Sequence, residues 1–179
     1  DGRPFSTLFF ASGALGAMKG QDGLSATPAP ASMMTMPAET WETLTGVTMV
    51  ERHLRPDSGG AGEWRGGLGQ RIVLRNDTAS PVHIAILGSR TDYPAQGFHG
   101  GQSGGKRYFE INGKTVHPKG RYQLSTGDVL TINDAGGGGY GNPENRDPAK
   151  LSHDVAEGFV SPEGAARDYG RDNLSVAAE

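Results

Sequence analysis

The residues best equipped for chemistry stand in one stretch, Arg55-Pro56-Asp57-Ser58-Gly59-Gly60-Ala61-Gly62-Glu63-Trp64-Arg65-Gly66-Gly67-Leu68-Gly69, where six of the fifteen are glycine. Glycine lets another backbone or a ligand come close but loses the most chain entropy on ordering, so such a loop is either mobile or held tightly by its neighbours. Two guanidinium groups and one aspartate sit among these glycines, with Trp64 as an apolar anchor. Arginine–carboxylate hydrogen bonds are among the strong ones. Two readings follow: an Arg/Asp network that orders the loop, or a wall that touches substrate or phosphate. In the second, Asp57 orients Arg55 or Arg65, and Asp57 and Arg65 are site-wall candidates.

The remaining chemistry is sparse. His53, His83, His99, His117 and His153 are scattered, and none shows the i,i+4 or short-loop spacing of zinc ligands. They read as structural or surface histidines. His99 is the exception, because it lies in a glycine-rich loop from which it could reach a site, and it joins Asp57 and Arg65 as the third candidate. There is no Gly-x-Ser-x-Gly elbow, and the absence of cysteine removes thiolate chemistry and disulfides, which fits a reducing cytoplasm. Asp22, Asp57, Asp92 and Asp134 all border glycine turns, where a carboxylate accepts backbone N–H bonds. The run Gly136-Gly137-Gly138-Gly139-Tyr140-Gly141 is followed by no Lys-Ser/Thr and lacks dinucleotide-fingerprint spacing. No metal ligand and no cofactor-binding residue is assigned.

The secondary structure that carries these residues is made of short pieces. The 179 residues suffice for one domain with a core. Twenty-nine glycines, about twice the usual share, alternate with short Val/Ile/Leu clusters and predict a turn-rich β protein. A net charge of −3 gives no basic stripe for nucleic acid, and no apolar run nears the ~18 residues of a membrane span. Position 1 is Asp and no leader follows, so a piece of something larger is expected.

Along the chain, Phe5, Leu8, Phe9 and Phe10 predict a strand running into the small-residue loop 11–17. Met33, Met34 and Met36 read as adaptable core or interface filler. Pro37–Glu42 predicts a short helical turn. Thr45–Leu54 alternates as a strand, with Val47, Met49 and Glu51 on one face and Thr48, Val50, Arg52 and Leu54 on the other. With Gln70–Arg75 and Val82–Leu87 it predicts an antiparallel meander. The polar loop 88–105 is long enough to be functional or packed on a partner. Lys106–Ile111 and Lys114–His117 flank Asn112-Gly113, the favoured hairpin turn. Pro118-Lys119-Gly120 turns the chain, and Tyr122–Leu124 and Val129–Ile132 flank another hairpin-like turn at Ser125–Asp128. Asp147-Pro148 and Ser161-Pro162 start two short helices that end at Gly158 and Gly170. The fold class is mainly β: an antiparallel, sandwich-like domain of about eight strands with glycine-rich loops and two short C-terminal helices. Residues 1–45 form an N-terminal strand and extended loop that packs on a partner chain, 46–141 the β-rich domain and 142–179 the C-terminal helical segment.

Several of these motifs resemble, in the same order, the C-terminal third of hydantoinase B/oxoprolinase subunits: Asp22–Thr27, Arg55–Gly69, Gly136–Gly141 with Asn142-Pro143, Arg146-Asp147-Pro148, Asp154-Val155, Gly158, Val160-Ser161 and Tyr169-Gly170. The resemblance covers nearly the whole chain. Its departures are the degenerate run Ala11–Lys19, Asn142 where the family has aspartate, and Gly97-Phe98-His99. The family includes ATP-dependent N-methylhydantoinases, 5-oxoprolinases, caprolactam hydrolases and the related acetone and acetophenone carboxylases.

What the resemblance implies is a cytoplasmic heteromer. Its hydantoinase A-type subunit binds ATP with Mg and phosphorylates the substrate carbonyl oxygen. The B-type subunit then hydrolyses or carboxylates, and where members carry a catalytic metal its ligands lie in the N-terminal part of that subunit, outside the resemblance. The implied partners are the A-type subunit, the remainder of the B-type subunit and a small cyclic amide. The implied role is the C-terminal segment or small subunit of a cyclic amide hydrolase of hydantoin or 5-oxoproline type, lacking a complete active site. A subunit of a related ketone carboxylase, and a non-catalytic assembly or binding module, are the rivals.

Overall fold

The computed structural model describes residues 5–28 and 35–171. Its regular elements are α1 (Ala38–Thr45), β1 (Val47–Leu54), β2 (Gln70–Asn76), β3 (Val82–Leu87), β4 (Tyr108–Ile111), β5 (Lys114–Val116), β6 (Lys119–Leu124), β7 (Val129–Asn133), a 3-10 turn at Pro143–Asn145, α2 (Pro148–Ala156) and α3 (Pro162–Tyr169). Strands β1-β2-β7-β4-β5 form one antiparallel sheet, and β3-β6 a second, two-stranded one. The mainly β, sandwich-like architecture is thus as expected. Its core lies between the sheets: Val47, Ile72, Leu74, Phe109, Leu130 and Ile132 from the first meet Ile86 and Leu124 from the second, and Trp41 of α1 caps the end.

Two expectations about connection change. The meander stops at β2, because β3 leaves for the other sheet; the β6–β7 turn is likewise a corner between sheets and not a hairpin. Both changes come from one fully buried side chain, Asn76. Its Nδ2 donates to the carbonyls of Ser80 (3.1 Å) and Leu124 (2.9 Å), and its Oδ1 accepts from Thr78 N. Its own N–H donates to Asp128 O and its carbonyl accepts from Gly127 N, so the two corners are tied together. A buried amide that fully paired fixes where both chains change sheet.

The β1 alternation also breaks. Met49 pairs with Leu74 and Glu51 with Val73, which leaves Val50 as a bulge. An inserted residue turns every later side chain to the opposite face, so Val47, Met49, Arg52 and Leu54 share the inner face while Glu51 is exposed. The strand expected at Phe5–Phe10 is absent: this segment is coil, docked by Phe9 edge-on to Trp41 at 4.8 Å. The structure therefore has seven strands among the described residues. Lys119-Gly120, expected in a turn, opens β6. Met36 packs on the core, whereas Met33 and Met34 lie outside the described residues. Asn112-Gly113 turns the β4–β5 hairpin with φ of 51° and 74°.

The glycine runs explain themselves by crowding. Segments 13–17, 58–67, 96–105 and 135–141 lie side by side outside the ladders. A Cβ on Gly136 would strike Ser58 O, on Gly137 Leu15 O, on Gly138 Gln96 O and on Gly139 Ala61 O. Gly136 and Gly139, three residues apart, face the same segment. That is the three-residue turn of a polyproline-II helix, which has no internal hydrogen bonds and packs closely only through glycine. The bonds run between segments: Gly136 N to Gly105 O, Gly137 N to Gly67 O, Gly60 N to Gly137 O, Ala17 N to Gly138 O and Gly139 N to Gln102 O, at 2.8–3.0 Å. The Arg55–Gly69 run belongs to this bundle and is buried from Gly66 to Gly69.

At its far side α2 and α3 close over the bundle with Leu151, Val155, Val160, Ala165 and Tyr169 against Ala61. Asp147 caps α2 by accepting from Ala149 N, and Ser161 caps α3 by accepting from Gly164 N.

Candidate functional site

Arg65 is 6% exposed. Its Nε and Nη2 reach the two carboxylate oxygens of Asp154 at 3.2 and 3.4 Å, and its Nη1 donates to Gly66 O. The expected partner Asp57 is not the acceptor. Asp154, on α2, also receives Arg146 Nη2 at 2.6 Å. Arg146 in turn donates to both oxygens of Asp22 at 3.0 Å, and Asp22 Oδ1 accepts Arg65 N at 2.7 Å. Two arginines and two aspartates thus close a ring, buried at Arg65, Arg146 and Asp154 and half-buried at Asp22, that joins the turn at Asp22, the glycine bundle and α2.

The charges of the ring tune one another. Burial works to raise the Asp22 carboxyl, but the Arg146 guanidinium and the Arg65 amide prevail and hold it below its ordinary value. Burial opposes the charge of Arg146 too, yet Asp22 and Asp154 raise its affinity for the proton. Tyr169 lies against the ring, 4% exposed, its hydroxyl without a protein partner, and burial pushes it up to about 12.

Asp57 has φ 56° and its Oδ1 accepts Ser161 N at 2.9 Å. Its backbone N–H donates to Phe159 O, so it pins the α2–α3 connection. Arg55 is spent on the carbonyls of Lys106 and Asp134. His99 is exposed at the tip of a turn, φ 51°, followed by Gly100 at 94°. Its ring lies 4.9 Å from Tyr140 and 6.1 Å from Phe98, and Tyr140 is bridged to Trp64 through paired N–H···O bonds. The three candidates have three separate sets of partners. A groove of about 960 Å³ lined by Glu42, Leu44, Asp77, Pro81 and His83 contains none of them.

Sequence reasoning assigned no role to Asp22, Arg146 or Asp154 in holding Arg65. Separations of 43, 89 and 124 residues carry no local pattern; only their order among the family-like motifs singled them out. A second ion pair, half-buried Arg107 with fully buried Asp134 at 2.5 Å, was likewise invisible.

Neither ATP nor a divalent metal fits these residues. The amides of Gly136, Gly137 and Gly139 already donate to protein carbonyls, so the glycine run offers no cradle for phosphate. Among the described residues no three His, Asp or Glu side chains converge to hold a metal ion. No described helix is long and apolar enough to cross a membrane.

The profile of the hydantoinase B/oxoprolinase family matches residues 1–143. This chain belongs to that family. An uncharacterized protein of Methanocaldococcus jannaschii is 38% identical over 140 residues, covering 76% of this chain and 24% of the relative. The 5-oxoprolinase PfmaA of Pestalotiopsis fici is 32% identical over 143 residues, 74% of this chain and 11% of the relative. Among solved structures, the ATP-dependent caprolactamase from Pseudomonas jessenii superposes with a TM-score of 0.76 at 26% identity, covering 88% of this chain and 29% of that one. The hydantoinase B-like chain therefore spans about a quarter or less of these curated relatives.

Proposed function

We propose that this chain is the C-terminal segment, or a small subunit, of a hydantoinase B-like enzyme that opens a cyclic amide of hydantoin or 5-oxoproline type with ATP bound by a hydantoinase A-type partner. The observation that carries the reading is the family match over residues 1–143, which contains every segment of the glycine bundle. The similarity to a 5-oxoprolinase and to an ATP-dependent caprolactamase supports amide hydrolysis. ATP, Mg and any divalent metal are assigned to the other chains, since the residues here suit neither. ATP use and a chain without cysteine support a cytoplasmic setting.

In this reading the chain supplies frame and wall. Asp57 and Arg65 act at a distance, by fixing the α2–α3 connection and the glycine bundle. His99, the exposed candidate of the three, is the one that reaches into the reaction chamber. Held in a left-handed conformation beside Tyr140, it occupies the kind of strained position that recurs at functional sites.

The test is reconstitution with an A-type subunit and the rest of a B-type subunit, assayed for ATP-dependent opening of hydantoin, 5-oxoproline and caprolactam. Ring opening that requires this chain is the expected result. Incorporation of labelled bicarbonate without ring opening would replace it by a carboxylase, and a monodisperse monomer indifferent to those chains by a binding module. His99→Gly removes the imidazole while easing the backbone; turnover should fall with the assembly intact, and unchanged turnover removes His99 from the wall.

A further inference from the structure

The two sheets have four edges among the described residues, and three of them carry the usual guards against further pairing. Edge strand β1 has the Val50 bulge and the charges of Glu51 and Arg52. Strand β5 has only three residues and begins with Lys114. Strand β6 carries Lys119 and Arg121. Strand β3, Val82-His83-Ile84-Ala85-Ile86-Leu87, has none of these: six residues, no lysine, arginine or carboxylate, no proline and an unbroken register against β6. Its ladder runs to β6 alone among the described residues. Val82, Ile84 and Ile86 turn to the core, while His83, Ala85 and Leu87 are exposed, Leu87 at 86%.

A regular, uncharged edge of this length on a two-stranded sheet is an incomplete structure, since two strands alone are marginal and the open edge templates another strand. We propose that β3 is a docking edge: an extended strand from the part of the B-type polypeptide that lies outside the matched region pairs with it and completes the second sheet. This rests on the family reading above. The occupant follows from the chemistry of the edge, which offers a row of backbone donors and acceptors beside the apolar Ala85 and Leu87, and from the two curated relatives above, in which the matched region is 24% and 11% of a longer chain. A partner strand with small or apolar side chains at alternate positions fits it.

Deuterium exchange of the complex with the A-type subunit and the rest of the B-type polypeptide tests this against the chain alone. In the lone chain the β3 amides that point away from β6 should exchange at the rate of an open edge. In the complex they should be slowed by at least about a hundredfold, as ladder amides are, while the outward amides of β1 stay fast. A complex that assembles and turns over with β3 still open overturns the docking edge and leaves the family reading standing. A chain that joins none of these polypeptides overturns both. Protection that instead rises with the concentration of the lone chain, with a dimer in sedimentation, gives the edge to a second copy and overturns the assignment; protection already present in the dilute lone chain does so too. Leu87→Glu provides an independent readout, because the new carboxylate lies opposite Lys119 and spares the fold. Its co-purified share should drop about tenfold with the melt of the lone chain unchanged; an undiminished share overturns the proposal.

Discussion

At the scale of single residues, the molecule spends its charges on holding itself together. Arg146 serves both Asp22 and Asp154, whereas Arg65 serves Asp154 and one carbonyl. Removing one partner of a buried pair leaves an uncompensated charge. Arg146→Ala is therefore expected to lower unfolding free energy by about 3–5 kcal/mol in urea titrations. Arg65→Ala, after which Asp154 keeps Arg146, should cost about 2–3 kcal/mol. The reverse order would mean that the ring is not organised around Arg146. Tyr169 gives a prediction in pH. Its folded value of about 12 exceeds the unfolded value of 10, so the folded state holds the proton more tightly. The stability this contributes is complete below pH 10 and is lost as pH rises from 10 to 12, by about 2–3 kcal/mol in total. Its hydroxyl has no protein partner, so Tyr169→Phe should stay folded and flatten that part of the alkaline curve. Asp22 works on the acid side with the opposite sign: its carboxyl is held low, so its contribution is present above its ordinary pKa of 3.8 and disappears as pH falls further.

The elements divide into those that carry their own instructions and those that borrow them. Asp147-Pro148, Ser161-Pro162 and the left-handed Gly170 delimit α2 and α3 locally, and Asn112-Gly113 sets its hairpin. These were legible because capping and turn chemistry act over a few residues. The Val50 bulge and the departure of β3 were not, because nothing near Val50 marks it, and Asn76 acts through Leu124 and Asp128, some fifty residues away. The glycine bundle gives a sharp contrast in substitutions. Gly136→Ala places a methyl on the Ser58 carbonyl, whereas Gly113→Ala meets nothing and pays only for its positive φ. The first should abolish cooperative unfolding, a cost beyond about 4 kcal/mol; the second should cost about 1 kcal/mol. Equal effects in thermal melts would show that the glycines serve flexibility and not close approach.

The molecule as a whole is held by contacts far apart in the chain: a core between two sheets, a bundle of extended glycine segments, and two helices, α2 locked on by the Asp22–Arg146–Asp154–Arg65 ring and α3 by Asp57 and the apolar cluster. Ending the chain at Gly141 would uncover Ala61 and strip Arg65 of its carboxylate. The truncated chain should therefore show no cooperative melt, and a melt within about 1 kcal/mol of the full chain would make the helices accessory. A mainly β chain, most strand positions, both C-terminal helices and, through the order of the glycine and aspartate motifs, the family were readable in one dimension. Alternation, capping and turn chemistry are local, so they survive in one dimension. It took the folded chain to show that the glycine run is an interior and not a loop, that Arg65 answers to Asp154 rather than Asp57, and that β3 presents an unguarded edge. Each of these depends on which distant backbones come within van der Waals reach, and chain separation alone does not encode it.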